Sequence, residues 1–402
     1  MRPFSLCVPT KIVFGAGVSD NIADAVRGIG GKALIVSYGR RAYLDRLMAN
    51  VERSLTDLGV GYAYFLGISA NPRLSEVREA VEFARREGVD FCIAIGGGSV
   101  MDATKAIAAG VLYNGDVWKM FNSRASKKVA VPPTAALPTV MIPTVAATSS
   151  ETNCVSVVTN DELGEKVGLS APCLYPRAAL IDPSLTVSVP AGMTAAGAVD
   201  AMSHILEAYV NGDQTSPVQD GLGESLLRSV MTELPAVLAE PDNVAHRTNL
   251  QWVTTIAWNG WIQAGVYPLT PMHKMGHALS AMYGLTHGVT LAIFMNGYLH
   301  EVCRLSSERE ARFAALGRRL FGETFAAGKP TGDAATATVD ALVSFFRESG
   351  VPVTLREAGV EKPDTDAIRE LILRVGATAD GCLAAIEPID EGRLARIIAA
   401  VV

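Results

Sequence analysis

The kind of apolar segment changes near the middle of the 402-residue chain, and this change constrains the fold more than any other feature. In the first half, short apolar runs such as KALIVS and FCIAIG alternate with segments at helical spacing such as LDRLMANVERSLTD and LSEVREAVEFARRE. Strands that alternate with helices are typical of a mainly parallel sheet covered by helices. The first half therefore predicts an α/β domain of the Rossmann-like type.

Strand signals become rare around Pro183 and Pro190, and the later segments are long and helical. Examples are AGAVDAMSHILEAYV, SPVQDGLGESLLRSVMTELPAVL and TATVDALVSFFRES. Their length and apolar spacing predict helices without a sheet. We therefore expect two domains, an α/β domain over residues 1–190 and an all-helical domain over residues 191–402.

Three consecutive glycines, Gly96, Gly97 and Gly98, follow an apolar strand and precede a helix that Ser99 opens. Glycine permits a tight turn and the close approach of an anion, and the start of a helix presents N–H groups and a positive dipole end. This arrangement predicts a diphosphate site, although the G-x-G-x-x-G fingerprint is absent. The alternative is an ordinary turn in which Ser99 caps the helix and Asp102 takes the acidic position of a capping box.

An earlier predicted strand ends in Gly39, and Arg40 and Arg41 follow it. In dinucleotide-binding folds, the end of such a strand often carries an acidic residue for the ribose 2′-hydroxyl, whereas glycine and arginine leave room and charge for a 2′-phosphate. We therefore predict NADP(H) rather than NAD(H) as the cofactor. The alternative is an ordinary pair of solvated arginines.

Half of the six histidines of the chain lie in one short segment, PMHKMGHALSAMYGLTHG. Within it His273 and His277 are four residues apart, which places them on one helix face, and His287 follows a turn. Asp200 and His204 have the same spacing in an apolar segment. Such groups are costly to bury without a partner, and a divalent cation would satisfy them. We predict a metal site, and spacing alone leaves open whether His273, His277 or both are ligands.

Composition argues against several classes of function. The formal net charge is −6 and no basic stripe is present, so nucleic acid is not an expected partner. Scattered cysteines without Cys-x-x-Cys spacing predict a reduced, cytoplasmic protein. No secretory signal or membrane span is predicted, because the longest apolar stretch is interrupted by prolines. His246 and His300 lie outside the ligand pattern and are interpreted as surface or structural residues.

Motifs along most of the chain are similar to those of one enzyme family. In order, they are PTKIVFGAG, NPRLSEV, AIGGGSVMDATKAIA, PTVAATSSETN, VDAMSHILEAYV and HKMGHALSAMYGLTHGVTLAI. The chain thereby resembles the iron-containing alcohol dehydrogenases, and in particular their butanol-dehydrogenase-like, NADPH-dependent aldehyde reductase branch. The resemblance is loose in the C-terminal part of the chain. It implies a dehydroquinate-synthase-like architecture of one α/β and one helical domain.

The resemblance also implies roles for individual residues. The implied metal ligands are Asp200, His204, His273 and His287. His277 is implied to be a catalytic residue that faces the nicotinamide and substrate without binding the metal. The implied cofactor-binding residues, in addition to Gly39, Arg40 and Arg41, are Gly97, Gly98, Ser99, Asp102, Thr144, Thr148 and Lys166.

One loop departs from the family pattern. Many members of this branch have Ala-Thr-Gly-Ser-Glu where this chain has ATSSE, so that Ser149 replaces a glycine. If this position requires a positive φ, the loop is expected to relax and the contacts of Thr148 and Ser150 to change.

These features together predict a metal-dependent oxidoreductase that interconverts short-chain primary alcohols and aldehydes with NADP(H). Iron(II) is the favoured metal and zinc is the alternative. The expected partners are a small alcohol or aldehyde and further copies of the chain in a homodimer or larger homo-oligomer. Two alternatives remain: a dehydroquinate-synthase-like, polyol-type or phosphosugar-type metal enzyme of the same architecture, and an inactive nucleotide-binding module.

Overall fold

The computed structural model describes residues 1–122, 129–212 and 215–402, and the chain forms two compact units. The sheet unit comprises Leu6–Pro190 and Glu240–Gly260. The helical unit comprises Met1–Ser5, Ala191–Ala239 and Trp261–Val402.

The sheet unit is built on a parallel sheet. Its strands are β1 (Lys11–Phe14), β2 (Lys32–Ser37), β3 (Gly61–Leu66), β4 (Phe91–Gly96), β5 (Thr139–Pro143), β6 (Val155–Asn160), β7 (Glu165–Ser170) and β8 (Ala178–Ile181). Six of them form one sheet in the order β1-β8-β5-β4-β2-β3, with every pair parallel. Strands β6 and β7 form a separate antiparallel hairpin, which the sequence patterns did not predict.

The helices divide between the two units. Those of the sheet unit are α1 (Ala23–Val26), α2 (Asp45–Asp57), α3 (Leu74–Glu87), α4 (Gly98–Leu112) and, from later in the chain, α7 (Val244–Ala257). Those of the helical unit are α5 (Ala191–Asn211), α6 (Pro217–Ala239), α8 (Pro271–Tyr283), α9 (His287–Val302), α10 (Ser307–Phe321), α11 (Thr331–Glu348), α12 (Thr365–Gly376) and α13 (Glu391–Ala399). No helix in the described part of the chain is long and apolar enough to cross a membrane.

The predicted fold class is confirmed, because a parallel α/β unit precedes a helical unit. The centre of the sheet is buried on both faces, as parallel sheets require. Ile35 of β2, Ile93 of β4 and Val140 of β5 are in register across it and belong to one apolar cluster with α2. The carboxyl ends of these three strands are neighbours, so the loops that follow them lie at one edge of the sheet.

The units are less contiguous than the predicted ranges 1–190 and 191–402. Residues 240–260 belong to the sheet unit, and residues 1–5 belong to the helical unit. The first difference has a local cause: the loop after β5 is hydrogen-bonded to the C-terminal turn of α7, where Thr152 donates to the Thr255 carbonyl and Glu151 accepts from the Thr255 hydroxyl. The spacing of apolar residues along the chain does not predict polar contacts of this kind.

Candidate metal centre and nucleotide turn

Helix α5 carries a row of buried polar side chains. Asp200, His204, Glu207 and Asn211 are separated by four, three and four residues, which places them along one face of the helix. All four are buried in a segment otherwise rich in alanine and branched apolar residues. Alanine favours the helix, so the row is held by a long, straight, fully packed element.

Three imidazoles surround one oxygen of the first residue in this row. The Nε2 atoms of His204, His273 and His287 each lie 3.9 Å from Oδ1 of Asp200. The rings of His204 and His273 are stacked, with their centroids 4.6 Å apart. The structure thus brings together all four residues that were predicted to hold a metal.

Different local features at the starts of helices α8 and α9 position His273 and His287. Helix α8 begins at Pro271, a residue suited to the first turn of a helix, and this places His273 in the same turn. Helix α9 begins at His287 itself, and the next residue, Gly288, lies against the backbone of α5. A Cβ atom at Gly288 would be 1.9 Å from the Ala196 carbonyl oxygen, so only glycine permits this approach.

A further carboxylate lies behind the histidines. Glu207 is completely buried, and its Oε2 is 2.7 Å from Nδ1 of His273. Its Oε1 accepts the N–H groups of Met272, at 2.7 Å, and of His273, at 3.3 Å. Burial raises the pKa of the Glu207 carboxyl well above its ordinary value, and these two N–H groups oppose the rise. Burial therefore favours the neutral carboxyl, whereas the two N–H donors favour the ionised form.

The residues fit a divalent cation. Burial, and then the neighbouring His273, lowers the pKa of His204 well below its ordinary value, which favours the neutral imidazole that binds metals. Bonds of about 2.0 to 2.2 Å to a cation allow two donors to lie up to roughly 4.4 Å apart, and the observed 3.9 Å is within that limit. Imidazole nitrogen with one carboxylate oxygen is a donor set that iron(II) and zinc accept.

His277 lies one turn beyond His273 on α8. Its ring centroid is 5.3 Å from that of His287, and its side chain is half-buried. Among the described residues, Asp200, His204 and His273 have donor atoms close enough together to share a metal ion, and both His277 and His287 fall outside that set. His277 thus lies close to one candidate ligand, and its role without metal binding stays a prediction.

In the sheet unit, the glycine turn joins β4 to α4 and is in contact with two neighbouring loops. The N–H of Gly97 donates to the Tyr38 hydroxyl at 2.9 Å, which ties the turn to the segment after β2. A Cβ atom at Gly98 would be 2.6 Å from the Thr148 side chain, so this glycine admits the loop after β5. Helix α4 starts at Gly98 with Gly97 as its N-cap, and the predicted Ser99 cap is therefore wrong.

Other predicted cofactor residues border this turn. The backbone N–H of Thr144 donates to the Gly96 carbonyl at 3.0 Å. The Ser99 hydroxyl accepts the N–H of Asn71 at 3.2 Å, and the Asn71 side chain accepts from Lys166 Nζ at 2.8 Å. Thr144, Ser99 and Lys166 are thus brought to one edge of the sheet although they are far apart in sequence.

The Asp102 carboxylate is hydrogen-bonded within the sheet unit, which contradicts the capping-box alternative and leaves its cofactor role a prediction. It accepts the Ser150 hydroxyl at 2.6 Å and the Val157 N–H at 3.0 Å and does not cap α4. One turn further along α4, the fully buried Lys105 donates to Ser150, Asn153 and the Val155 carbonyl. Burial lowers the pKa of Lys105 to about 8, although the charge of Asp102 raises it.

Arg40 and Arg41 are exposed beyond the end of β2, next to Gly39 with its φ of 140°. Arg40 is paired with Glu52 of α2 at 2.9 Å, and its guanidinium lies 5.1 Å from the ring centroid of Tyr64. The sequence prediction of a 2′-phosphate site did not anticipate this acidic partner.

Ser149 keeps the backbone conformation that a glycine would favour. Its φ is 54°, so the expected relaxation of the loop is not observed. Its hydroxyl donates to the Thr254 carbonyl and accepts the Trp258 N–H, which anchors the loop to the end of α7. Thr148 and Ser150 consequently retain contacts with the glycine turn and with Asp102.

Comparison with known proteins identifies the family. The family model for iron-containing alcohol dehydrogenases matches residues 9–183, and the C-terminal model of the same family matches residues 194–386. The chain belongs to the iron-containing alcohol dehydrogenase family.

Relatives of this family member span nearly its full length. NADH-dependent butanol dehydrogenase A of Clostridium acetobutylicum is 32% identical over 390 residues, covering 97% of each chain. The NADPH-dependent aldehyde reductase YqhD of Escherichia coli is 31% identical over 392 residues, covering 95% of each chain. The solved structure of NADH-dependent butanol dehydrogenase A from Thermotoga maritima is similar with a TM-score of 0.90 at 32% identity, covering 100% of this chain and 99% of that chain.

The dehydrogenase is therefore an alcohol or aldehyde oxidoreductase of a family that uses a nucleotide cofactor and a metal. This result favours the oxidoreductase over the synthase-like enzyme and over the inactive module. The named relatives differ in cofactor, since one is NADH-dependent and another NADPH-dependent.

Sequence reasoning missed two buried charged residues near the predicted sites. Glu207 follows His204 by three residues and Asp200 by seven, so helical spacing extends the polar row to it. Lys105 follows Asp102 by three residues in an apolar helix, and two opposite charges at this spacing could have indicated that both are buried together. Both residues resemble ordinary surface charges until the burial of their helices is known.

Proposed function

We propose that this dehydrogenase reduces short-chain aldehydes to primary alcohols, and catalyses the reverse reaction, with NADP(H) and a divalent metal, iron(II) being favoured and zinc the alternative. The observation that carries the proposal is the convergence of three imidazole Nε2 atoms on one oxygen of Asp200. One carboxylate and three neutral imidazoles leave a divalent cation with net positive charge, as a catalytic site needs.

Different residues of the chain would bind the metal, bind the nucleotide and transfer a proton. Asp200, His204, His273 and His287 would hold the cation, and the turn Gly97–Ser99 would receive the diphosphate of the nucleotide. When bound, the cation supplies a Lewis acid for the substrate oxygen and the nicotinamide supplies or accepts the hydride. His277 would move a proton at its imidazole between the substrate oxygen and solvent, because its ordinary pKa lies near neutrality.

The metal assignment is tested with a matched pair of alanine variants. His204→Ala should abolish both bound metal and turnover, since it deletes a ligand. His277→Ala should retain stoichiometric metal and lower kcat, because it removes only a proton-transfer group. Metal content by elemental analysis and NADPH oxidation with linear aldehydes measure the two effects. Full activity with stoichiometric metal in His204→Ala would refute the assignment.

The substrate class is tested with protein stripped of metal and reloaded with iron(II) under anaerobic conditions or with zinc. A panel of linear aldehydes should be reduced, and sugar phosphates should not. Turnover of a phosphorylated or cyclising sugar substrate, with no aldehyde reduced under any metal, would contradict the proposal.

The preference for NADP(H) rests on the sequence at the end of β2, which has Gly39, Arg40 and Arg41 and no acidic residue of the kind that binds a ribose 2′-hydroxyl. The pair between Arg40 and Glu52 is exposed, and exposed pairs hold side chains weakly. Arg40 is therefore able to exchange Glu52 for a phosphate.

We expect kcat/KM to be at least tenfold higher with NADPH than with NADH, which corresponds to about 1.4 kcal/mol. Arg41→Ala should lower kcat/KM with NADPH and leave the value with NADH unchanged. Arg46→Ala is the control, because Arg46 is an exposed arginine of α2 that pairs with Asp20. A tenfold preference for NADH would exclude this proposal while leaving the metal site intact.

Two further expectations remain proposals. The first is that the enzyme is a homodimer or a larger homo-oligomer, which light scattering after gel filtration would test. The second is that it acts in the cytoplasm, which the scattered cysteines favour and which cell fractionation would test.

A further inference from the structure

We propose that Glu207 is a positioning residue for the metal site, because it fixes the tautomer and orientation of His273. The inference rests on the proposed metal-binding function. Its basis is the set of contacts around one carboxylate that is 0% exposed: the Nδ1 atom of His273 and the backbone N–H groups of Met272 and His273.

The tautomer follows from a count of donors and acceptors. Two backbone N–H groups meet Oε1 of Glu207, and the ring nitrogen Nδ1 of His273 meets Oε2. The two backbone donors favour the ionised form of Glu207, which only accepts, and Nδ1 of His273 then carries the proton. Nε2 then presents its lone pair, and Nε2 is the atom that lies 3.9 Å from Oδ1 of Asp200. A carboxylate behind a ligating imidazole also raises the basicity of the ligand.

The orientation follows from the helices. Glu207 belongs to α5, the same helix that carries Asp200 and His204. By accepting two N–H groups in the first turn of α8, it joins the start of α8 to α5 at the level of the site. Glu207 thus sets where α8 begins and how the ring of its first histidine is turned.

Glu207→Gln separates these contacts from simple packing, because glutamine has nearly the same shape but only one acceptor oxygen. If that oxygen serves the N–H groups of α8, the amide NH₂ faces Nδ1 of His273 and requires the proton to lie on Nε2, which blocks metal binding. If the amide is reversed, its NH₂ opposes two backbone donors. Either arrangement disfavours the ligating tautomer at its observed place.

The experiment measures zinc affinity by calorimetry with a competing chelator on metal-free protein. We expect Glu207→Gln to bind zinc about 10- to 100-fold more weakly than wild type. Glu224→Gln is the matched control, because Glu224 is a helical glutamate of the same unit that hydrogen-bonds the Tyr209 hydroxyl. It should bind zinc within twofold of wild type.

A second readout reports the tautomer directly. With only six histidines in the chain, ¹⁵N-histidine spectra of the metal-free protein resolve the ring nitrogens. Wild-type His273 should be protonated at Nδ1, and Glu207→Gln should shift the proton to Nε2. If Glu207→Gln fails to fold, Glu207→Asp decides, because it keeps both oxygens but shortens their reach and should weaken zinc binding at least threefold.

Zinc affinity within twofold of wild type in the foldable variants, or an unchanged His273 tautomer in Glu207→Gln, would overturn the inference. Absence of zinc binding by the wild-type protein would instead refute the metal site itself. The two failures are therefore distinguishable.

Discussion

Ser149 occupies a left-handed backbone conformation, with a φ of 54°, that L-residues other than asparagine and aspartate rarely adopt. Its side chain is 1% exposed, and its hydroxyl makes two hydrogen bonds to the last turn of α7 and its cap, at Thr254 and Trp258. Those bonds are worth about 1 kcal/mol each, whereas the left-handed conformation costs about 1 to 2 kcal/mol. Serine thus lacks the freedom of glycine to adopt this conformation, and its hydrogen bonds to Thr254 and Trp258 offset the strain.

Replacement of Ser149 should separate these two contributions. Ser149→Ala loses the anchor and keeps the strain, so we expect a loss of about 1 to 3 kcal/mol in the free energy of unfolding. Ser149→Gly loses the anchor but relieves the strain, and should be less destabilised than the alanine variant by about 1 kcal/mol. Urea unfolding measures both.

Ser229→Ala serves as the control for these variants. The Ser229 hydroxyl donates to the Ser225 carbonyl on the exposed side of α6, so its loss should change stability by less than about 0.5 kcal/mol. A glycine variant less stable than the alanine variant would contradict the strain argument.

At the scale of secondary-structure elements, α9 depends on one close approach to α5. The Gly288 position leaves no space for a Cβ atom beside the Ala196 carbonyl, and His287, the adjacent residue, is a candidate ligand. Any shift of the start of α9 therefore moves His287 away from Asp200.

Gly288→Ala should force such a shift. We expect a loss of about 1 to 3 kcal/mol in the free energy of unfolding and a parallel loss of zinc affinity. Gly221→Ala is the matched control: in the described part of the chain, no neighbouring atom outside the helix backbone lies within 4 Å of a Cβ at this position in α6. The added methyl should therefore stabilise the helix by about 0.5 to 1 kcal/mol. Unchanged zinc affinity in Gly288→Ala would show that α9 adapts without moving His287.

Helix α4 contains a further buried charge, Lys105, whose pKa burial lowers to about 8 from 10.5. Between these two values the unfolded chain binds more protons than the folded one, so this group makes stability rise with pH. Relative to Lys105→Met, the wild-type protein should gain stability between about pH 8 and pH 10.5, by up to about 1.4 kcal/mol per pH unit.

Urea unfolding of both proteins at several pH values checks this prediction, with the variant acting as the control for every other titrating group. The lowered pKa of Lys105 would be contradicted if the free energy of unfolding of the wild type, relative to Lys105→Met, stays constant or falls between about pH 8 and pH 10.5.

At the scale of the whole molecule, metal binding and folding of the helical unit are expected to be coupled. The candidate ligands come from α5, α8 and α9, so a cation would join α5 to two consecutive helices that lie far from it in sequence. A ligand that binds only the folded state at 100 times its Kd adds about 2.7 kcal/mol to stability.

Removal of the metal with a chelator should therefore lower the Tm, and zinc should restore it. Hydrogen exchange should slow on zinc addition in peptides from α5, α8 and α9, and change less in peptides from β2 and β4. His204→Ala should show neither effect, and an equal rise of Tm in that variant would place the cation elsewhere.

Several features follow from the sequence alone because they depend on local spacing. The alternation of strands and helices, the glycine turn Gly96–Gly98 and the four-residue spacing of Asp200 and His204 all involve residues that are close along the chain. Periodicity of this kind determines fold class and places side chains on one helix face. Spacing left open whether His273, His277 or both are ligands, and only the resemblance to the family implied the full ligand set.

Tertiary structure decided the features that depend on distant partners. Contacts between segments that are not adjacent in sequence decide three such features. They pair Arg40 with Glu52, direct Asp102 toward Ser150, and join α7 to the sheet unit. Glu207 is the clearest case, since a glutamate in a helix is usually exposed. Only the packing of α5 and α8 removes it from water and aims its carboxylate at His273.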